Sequence, residues 1–197
     1  MKRKKFRPID LTFMALFAAL MGVGANIAQF LVIGGLPITL QTFFSIMAGA
    51  LLGSRLGSLS MALYTLIGLV GAPVFAQFTG GPAILIKPTF GFILSYILVS
   101  WIVGKIVETA KDPGFSRFLI ACMVGLAINY FLGTNYMYFA YKFWADAPEG
   151  FTYGMAWLLM VPPLPKDVLL TVLTAVMAPR IYKAIHRSGS LSNQSAA

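Results

Sequence analysis

Four long stretches of the 197-residue chain carry no charged side chain: residues 11–54, 56–86, 88–104 and 118–141. A helix needs about 20 apolar residues to cross the hydrocarbon core of a bilayer, and several of these stretches supply them. The same stretches could not coat a water-facing domain. Soluble proteins carry roughly 25% charged residues, whereas this chain carries 11% and is 58% hydrophobic. The expected fold is therefore all-α and polytopic, one membrane domain with no length left for a separate soluble catalyst.

Breakers between the apolar runs predict six spans. The first covers residues 11–32, behind a basic flank at residues 1–10. Its apolar run is too long for a signal peptide and further spans follow, so it is expected to be retained. The second covers 38–52 and turns at Gly53-Ser54-Arg55; the third covers 56–69 and ends near Gly71-Ala72-Pro73. Both contain many small residues, which let membrane helices approach closely. The fourth follows Pro88 and ends at Gly104-Lys105, and the fifth covers 118–141. The last region runs from Phe151 to Met160, breaks at Val161-Pro162-Pro163-Leu164-Pro165, and resumes as a sixth helix over 166–177, because proline lacks the donor a helix interior needs. The membrane domain is placed at 11–184, and a Ser/Gly/Asn/Gln-rich tail at 185–197 is expected to be disordered.

Charge sets the predicted orientation. The chain has 15 Lys and Arg against 6 Asp and Glu, a net charge of +9. Six spans would put Lys2, Arg3, Lys4, Lys5, Arg7, Arg55, Lys105, Lys111, Arg117, Arg180, Lys183 and Arg187 on one side, leaving Lys87, Lys142 and Lys166 on the other. Positive residues stay inside, which predicts a multi-pass membrane protein with cytoplasmic termini. Clustering at span ends points to membrane lipid as the partner of these charges, not to nucleic acid.

The single Cys122 and single His186 exclude a disulfide framework and a Cys/His metal site. No G-x-x-x-x-G-K-[ST] loop cradles ATP phosphates and no G-x-S-x-G nucleophile is found. Uptake against a gradient would need energy from another chain, and an enzyme is not expected.

Ionisable groups within a membrane are costly and usually face a cavity or a partner. Lys87, between Ala83-Ile84-Leu85-Ile86 and the fourth span, and Asp167, opening the sixth helix, fit that description. Each has a plainer reading: Lys87 as a lysine snorkelling to the interface, Asp167 as a first-turn residue complementing the helix dipole, or the two paired with each other. A shared outward-facing site is the reading preferred here. Thr39 and Gln41, entering the second span after Gly34-Gly35-Leu36-Pro37, and Asn135 and Tyr136, toward the outer end of the fifth, point to the same face. Such a pocket suits a ligand with a polar head and an anionic tail. Tyr138, Tyr141, Phe143 and Trp144 read as an interfacial belt. On the first span, Ala15 and Ala19 (with Ala18 and Gly22) place small residues four apart on one face, suited to tight docking of another helix, internal or foreign.

The segment GLPITLQTFFSIMAGALLGSRLGSLSMALYTLIGLVGAPVFAQFTGG, residues 35–81, resembles the BioY family, the biotin-binding S components of energy-coupling factor (ECF) transporters. Lys87-Pro88-Thr89-Phe90-Gly91-Phe92 and Leu164-Pro165-Lys166-Asp167 add support, and the likeness extends over residues 11–182. It implies six helices with cytoplasmic ends and biotin as the transported ligand, with no cofactor. It further implies docking through Ala15 and Ala19 onto a transmembrane T component, energised by two cytoplasmic ATPase subunits. Carried over by position, Asp167 would accept from the ureido N–H groups, with Gln41 and Thr89 lining the site. Two positions depart from the family pattern. Its Pro-Gly-Asp-x-x-Lys becomes Pro165-Lys166-Asp167 with Leu170 three residues on, so the lysine is displaced to Lys166, and the Gly before Pro-Thr is Lys87, a candidate partner for the ligand carboxylate. The function expected is therefore an S component for biotin. The alternatives are an S component for another carboxylated cofactor such as lipoate, and a small membrane-embedded enzyme.

Overall fold

The computed structural model describes residues 6–27, 32–33, 36–37 and 39–187. Lys2, Arg3, Lys4 and Lys5 of the basic flank, Gly34-Gly35 of the first loop, and the tail from Ser188 lie outside the described residues. Helices dominate: α1 (Pro8–Asn26), α2 (Gln41–Leu69), α3 (Phe90–Glu108), α4 (Phe115–Phe143), α5 (Tyr153–Leu158) and α6 (Leu164–Arg187). The only strands among the described residues, Val32–Ile33 and Leu36–Pro37, form a two-residue antiparallel hairpin between α1 and α2.

Five helices, all but α5, are long and apolar enough to cross a membrane. One of them is folded in two. At Gly53 the backbone of α2 adopts φ 79°, a left-handed conformation that side chains disfavour. Past this point the chain reverses. Gln41 Nε2 lies 2.8 Å from the Tyr64 hydroxyl, although 23 residues of straight helix would separate them by about 34 Å. The arms on either side of Gly53 thus pack antiparallel and bring the helical passes to six. The reversal leaves the first N–H groups of the second arm without partners, a cost every helix start must meet. Glu108 at the end of α3 meets the first of them: Ser54 N–H donates to Oε1 at 2.7 Å, and the Ser54 hydroxyl holds the carboxylate in place by donating to Oε2 at 2.8 Å.

Small residues hold α2 and α3 close. Any side chain at Gly49 would strike the Ser100 backbone, and one at Gly104 would strike Ser54. Ser100 donates to the Ser45 carbonyl at 2.6 Å. Around this pair the core gathers Phe17, Met21, Ile46, Met61, Tyr64, Val99, Val103 and Phe118. Large apolar side chains also point outward, among them Leu16, Leu66, Trp101, Ile120, Phe131 and Leu169. A water-soluble bundle would bury these; hydrocarbon accepts them.

α6 passes through Pro179 to Arg187, beyond the expected end near Met177. One proline removes one backbone bond, and the turn that follows is still held by packing: Tyr182 meets the Phe118 ring at 5.6 Å. The passes alternate, so Arg7, Arg55, Lys105, Lys111, Arg117, Arg180 and Lys183 gather at one end. The start of α2, the start of α3 and the start of α6 meet at the other.

Candidate ligand-binding site

Three helices begin at this second end, each within four residues of a preceding proline: Pro37 before α2, Pro88 before α3, Pro163 before α6. Their first turns surround a cavity of about 280 Å³, near the small end of the roughly 300–1,000 Å³ typical of small-molecule pockets. Thr39, Gln41, Lys87, Thr89, Lys166 and Asp167 all line it. The loop between α2 and α3 closes it from above through Phe75, Ala76, Gln77 and Thr79.

Asp167 is the most unusual member. Its carboxylate is 5% exposed, and burying a charge is costly unless it is paired and hydrogen-bonded. Oδ2 accepts from the Tyr130 hydroxyl at 2.7 Å. Oδ1 forms an ion pair with Lys166 Nζ at 2.7 Å and accepts no aligned hydrogen bond. Lys166 in turn donates to the Thr39 carbonyl. The carboxylate thus addresses the cavity wall and not the free N–H groups of its own helix.

Deeper in, Asn129 is 1% exposed. Its Nδ2 donates to Thr42 Oγ1 at 3.1 Å, and its Oδ1 accepts from Ser95 at 2.7 Å. Tyr96, beside Asp167 and Thr42, completes a polar floor. Ile84, Phe92, Ile93 and Met160 supply apolar walls. Lys87 stands apart at the exposed rim, its ammonium without a hydrogen bond or ion pair among the described residues. The cavity therefore has a buried hydrogen-bonding end, apolar sides and a cation at its mouth.

Asn135 and Tyr136 are not part of this cavity. Asn135 Nδ2 donates to the Phe131 carbonyl of its own helix at 2.7 Å. The Tyr136 hydroxyl donates to the Leu85 carbonyl at 2.8 Å, and its ring packs on Phe90 and Trp144. Tyr136 thus braces the loop that carries Lys87, while Asn135 accepts from the Tyr153 hydroxyl through Oδ1 at 3.3 Å. Ala15 and Ala19 are exposed on α1 and line a shallow apolar groove with Gly22, Val23, Leu63 and Ile67.

The model of the BioY family matches residues 1–187. The chain belongs to the BioY family. BioYB of Bacillus subtilis is 44% identical over 191 residues, covering 95% of this chain and 94% of that one. The protein named biotin transporter BioY in Thermotoga maritima is 35% identical over 85% of this chain and 92% of its own length. Its namesake in Rhodobacter capsulatus is 32% identical over 87% and 92%. A crystal structure of the S component for biotin from an ECF-type ABC transporter superposes with a TM-score of 0.73 over 88% of this chain and 90% of that one, at 24% identity. This BioY chain therefore has the S-component fold.

Thr42, Tyr96, Asn129 and Tyr130 of this BioY chain line the cavity although no sequence motif singles them out, and Tyr141, expected in the interfacial belt, lines it too. Asn129 left a signal: it is an amide in the middle of the charge-free run 118–141. Asn135, expected at the site from its place toward the outer end of the same run, lies on another face of the helix. Six residues of helix separate the two by about 9 Å along the axis and by 240° around it, which is enough to turn one into the cavity and the other away from it.

Proposed function

We propose that this chain is the biotin-binding S component of an ECF transporter in the bacterial plasma membrane, with both termini cytoplasmic, and that it acts by binding and not by catalysis. The observation that carries the reading is the polar asymmetry of the cavity. A buried carboxylate, Asp167, lies among donors at one end, and an unpaired ammonium, Lys87, stands at the other. Biotin has the complementary order of groups: a ureido ring with two N–H donors, an apolar chain, and a carboxylate.

In this reading Asp167 accepts from the ureido N–H groups. Asn129, Tyr130 and Thr42 orient the ring, and Gln41, Thr39 and Thr89 line the path. Lys166 screens the Asp167 charge while the site is empty, and Lys87 pairs with the ligand carboxylate. Burying four methylenes contributes about 3 kcal/mol at about 0.8 kcal/mol each, and each hydrogen bond to a charged group about 1.5–3 kcal/mol. Those magnitudes support tight binding without covalent chemistry. Ala15 and Ala19, exposed on a groove of small residues, would seat a transmembrane T component. Two cytoplasmic ATPase subunits then supply the energy that this chain has no loop to harvest.

Native mass spectrometry of protein purified from biotin-containing cells tests the assignment. A retained mass equal to biotin is expected. Retained lipoate, which has no ureido group to meet Asp167, would overturn it.

A further inference from the structure

Above the cavity, the loop after α2 folds into a tight flap. Phe75 N–H donates to the Thr79 carbonyl at 3.0 Å, and the two residues form an antiparallel bridge. At its tip, Gln77 and Phe78 both adopt positive φ, 61° and 52°. No other non-glycine residues described do so. Left-handed backbone at two successive residues with side chains is unfavourable and persists only where surrounding structure enforces it. Gln77 lines the cavity, whereas Phe78 points away from it and is exposed.

The enforcing contact comes from α1. Asn26, 9% exposed at the end of that helix, accepts from the Phe78 N–H through Oδ1 at 2.7 Å. Its Nδ2 donates to the Gly22 carbonyl at 3.0 Å, so the amide is fixed at both ends and cannot swing away. Asn26 does not line the cavity, and it is the polar side chain by which α1 grips the flap tip.

We infer that Asn26 is a positioning residue. It latches the Phe75–Thr79 flap in its strained closed form, so its amide sets how long the cavity retains its ligand. The inference rests on the biotin reading of the cavity, and its test separates the two. Dissociation of tritiated biotin from purified full-length protein in detergent is followed after dilution into unlabelled biotin. Asn26→Ala should release biotin at least about tenfold faster with little change in association rate. Asn26→Asp, which keeps the acceptor oxygen, should release more slowly than Asn26→Ala. Phe78→Gly relieves the backbone strain at one of the two tip residues, the one that Asn26 holds, without touching the cavity. Alone it should leave release within about twofold of wild type, and combined with Asn26→Ala it should restore most of the lost retention. A general packing defect at Asn26 would not be repaired by a glycine on the flap. If wild type fails to bind biotin, the functional reading falls. If wild type binds and Asn26→Ala releases at the wild-type rate, or Phe78→Gly gives no rescue, the latch is overturned and the reading stands. Should Asn26→Ala fail to fold, Asn26→Leu, which keeps the size of the side chain and has no acceptor, takes its place: release at least about tenfold faster that Phe78→Gly repairs supports the latch, and release at the wild-type rate, or no repair, overturns it.

Discussion

In the proposed site Lys87 and Asp167 divide the labour of recognition by position, and each can be tested alone. Lys87 is exposed at the rim and unpaired, so Lys87→Met should weaken biotin binding by about tenfold, in keeping with one charge-assisted contact. Binding of biotin amide, which has no carboxylate, should be nearly unchanged by the same substitution. Isothermal titration with both ligands checks this, and an equal loss for the two would remove the pairing. Tyr130→Phe takes away the hydroxyl that Asp167 Oδ2 accepts and leaves a buried carboxylate short of one donor. A cost of about 1–3 kcal/mol in stability is expected, read as a lowered melting temperature of the ligand-free protein. Part of this site was legible in the sequence. Thr39, Lys87, Thr89 and Asp167 each sit within two residues of a proline (Pro37, Pro88 or Pro165) near the start of a helix, where polar groups interrupt an apolar run. Thr42, Tyr96, Asn129 and Tyr130 sit inside helices. There the chain is apolar on nearly every side, and nothing in its pattern says which face turns inward.

Among the elements, α2 depends most on a distant partner. Its second arm begins at a left-handed glycine and is capped by Glu108, 54 residues away. Glu108→Ala should destabilise the fold by about 1–3 kcal/mol, lowering the melting temperature by several degrees for a chain of this size. Ligand affinity should stay close to wild type, since the cap lies at the opposite end of the molecule. Loss of binding in folded Glu108→Ala protein would contradict that separation. The helices themselves could be read from charge-free runs, and the turn at Gly53-Ser54-Arg55 from its composition. The cap could not, because a glutamate at the end of one span carries no mark of the serine it serves in another. On α1, Ala15→Trp fills the small-residue groove without approaching the cavity. It should leave biotin binding intact and abolish uptake in cells expressing the full transporter. Normal uptake would remove Ala15 from the docking surface.

Across the whole molecule, charge and cavity lie at opposite ends. The basic end collects Arg7, Arg55, Lys105, Lys111, Arg117, Arg180 and Lys183, and the cavity opens at the other. If positive residues lie inside, the mouth faces the outside of the cell. Lys142→Cys should then react with an impermeant maleimide on intact cells, and Arg117→Cys only after permeabilisation; the buried Cys122 adds little background. The reverse pattern would invert the topology. The proposed recognition turns on a buried carboxylate, Asp167, that a ureido ring would satisfy. Its most direct test is an equilibrium titration of biotin against folded Asp167→Asn protein beside wild type. A loss of affinity of at least tenfold, with an unchanged far-ultraviolet spectrum, is the result predicted. Wild-type affinity in Asp167→Asn would contradict the account.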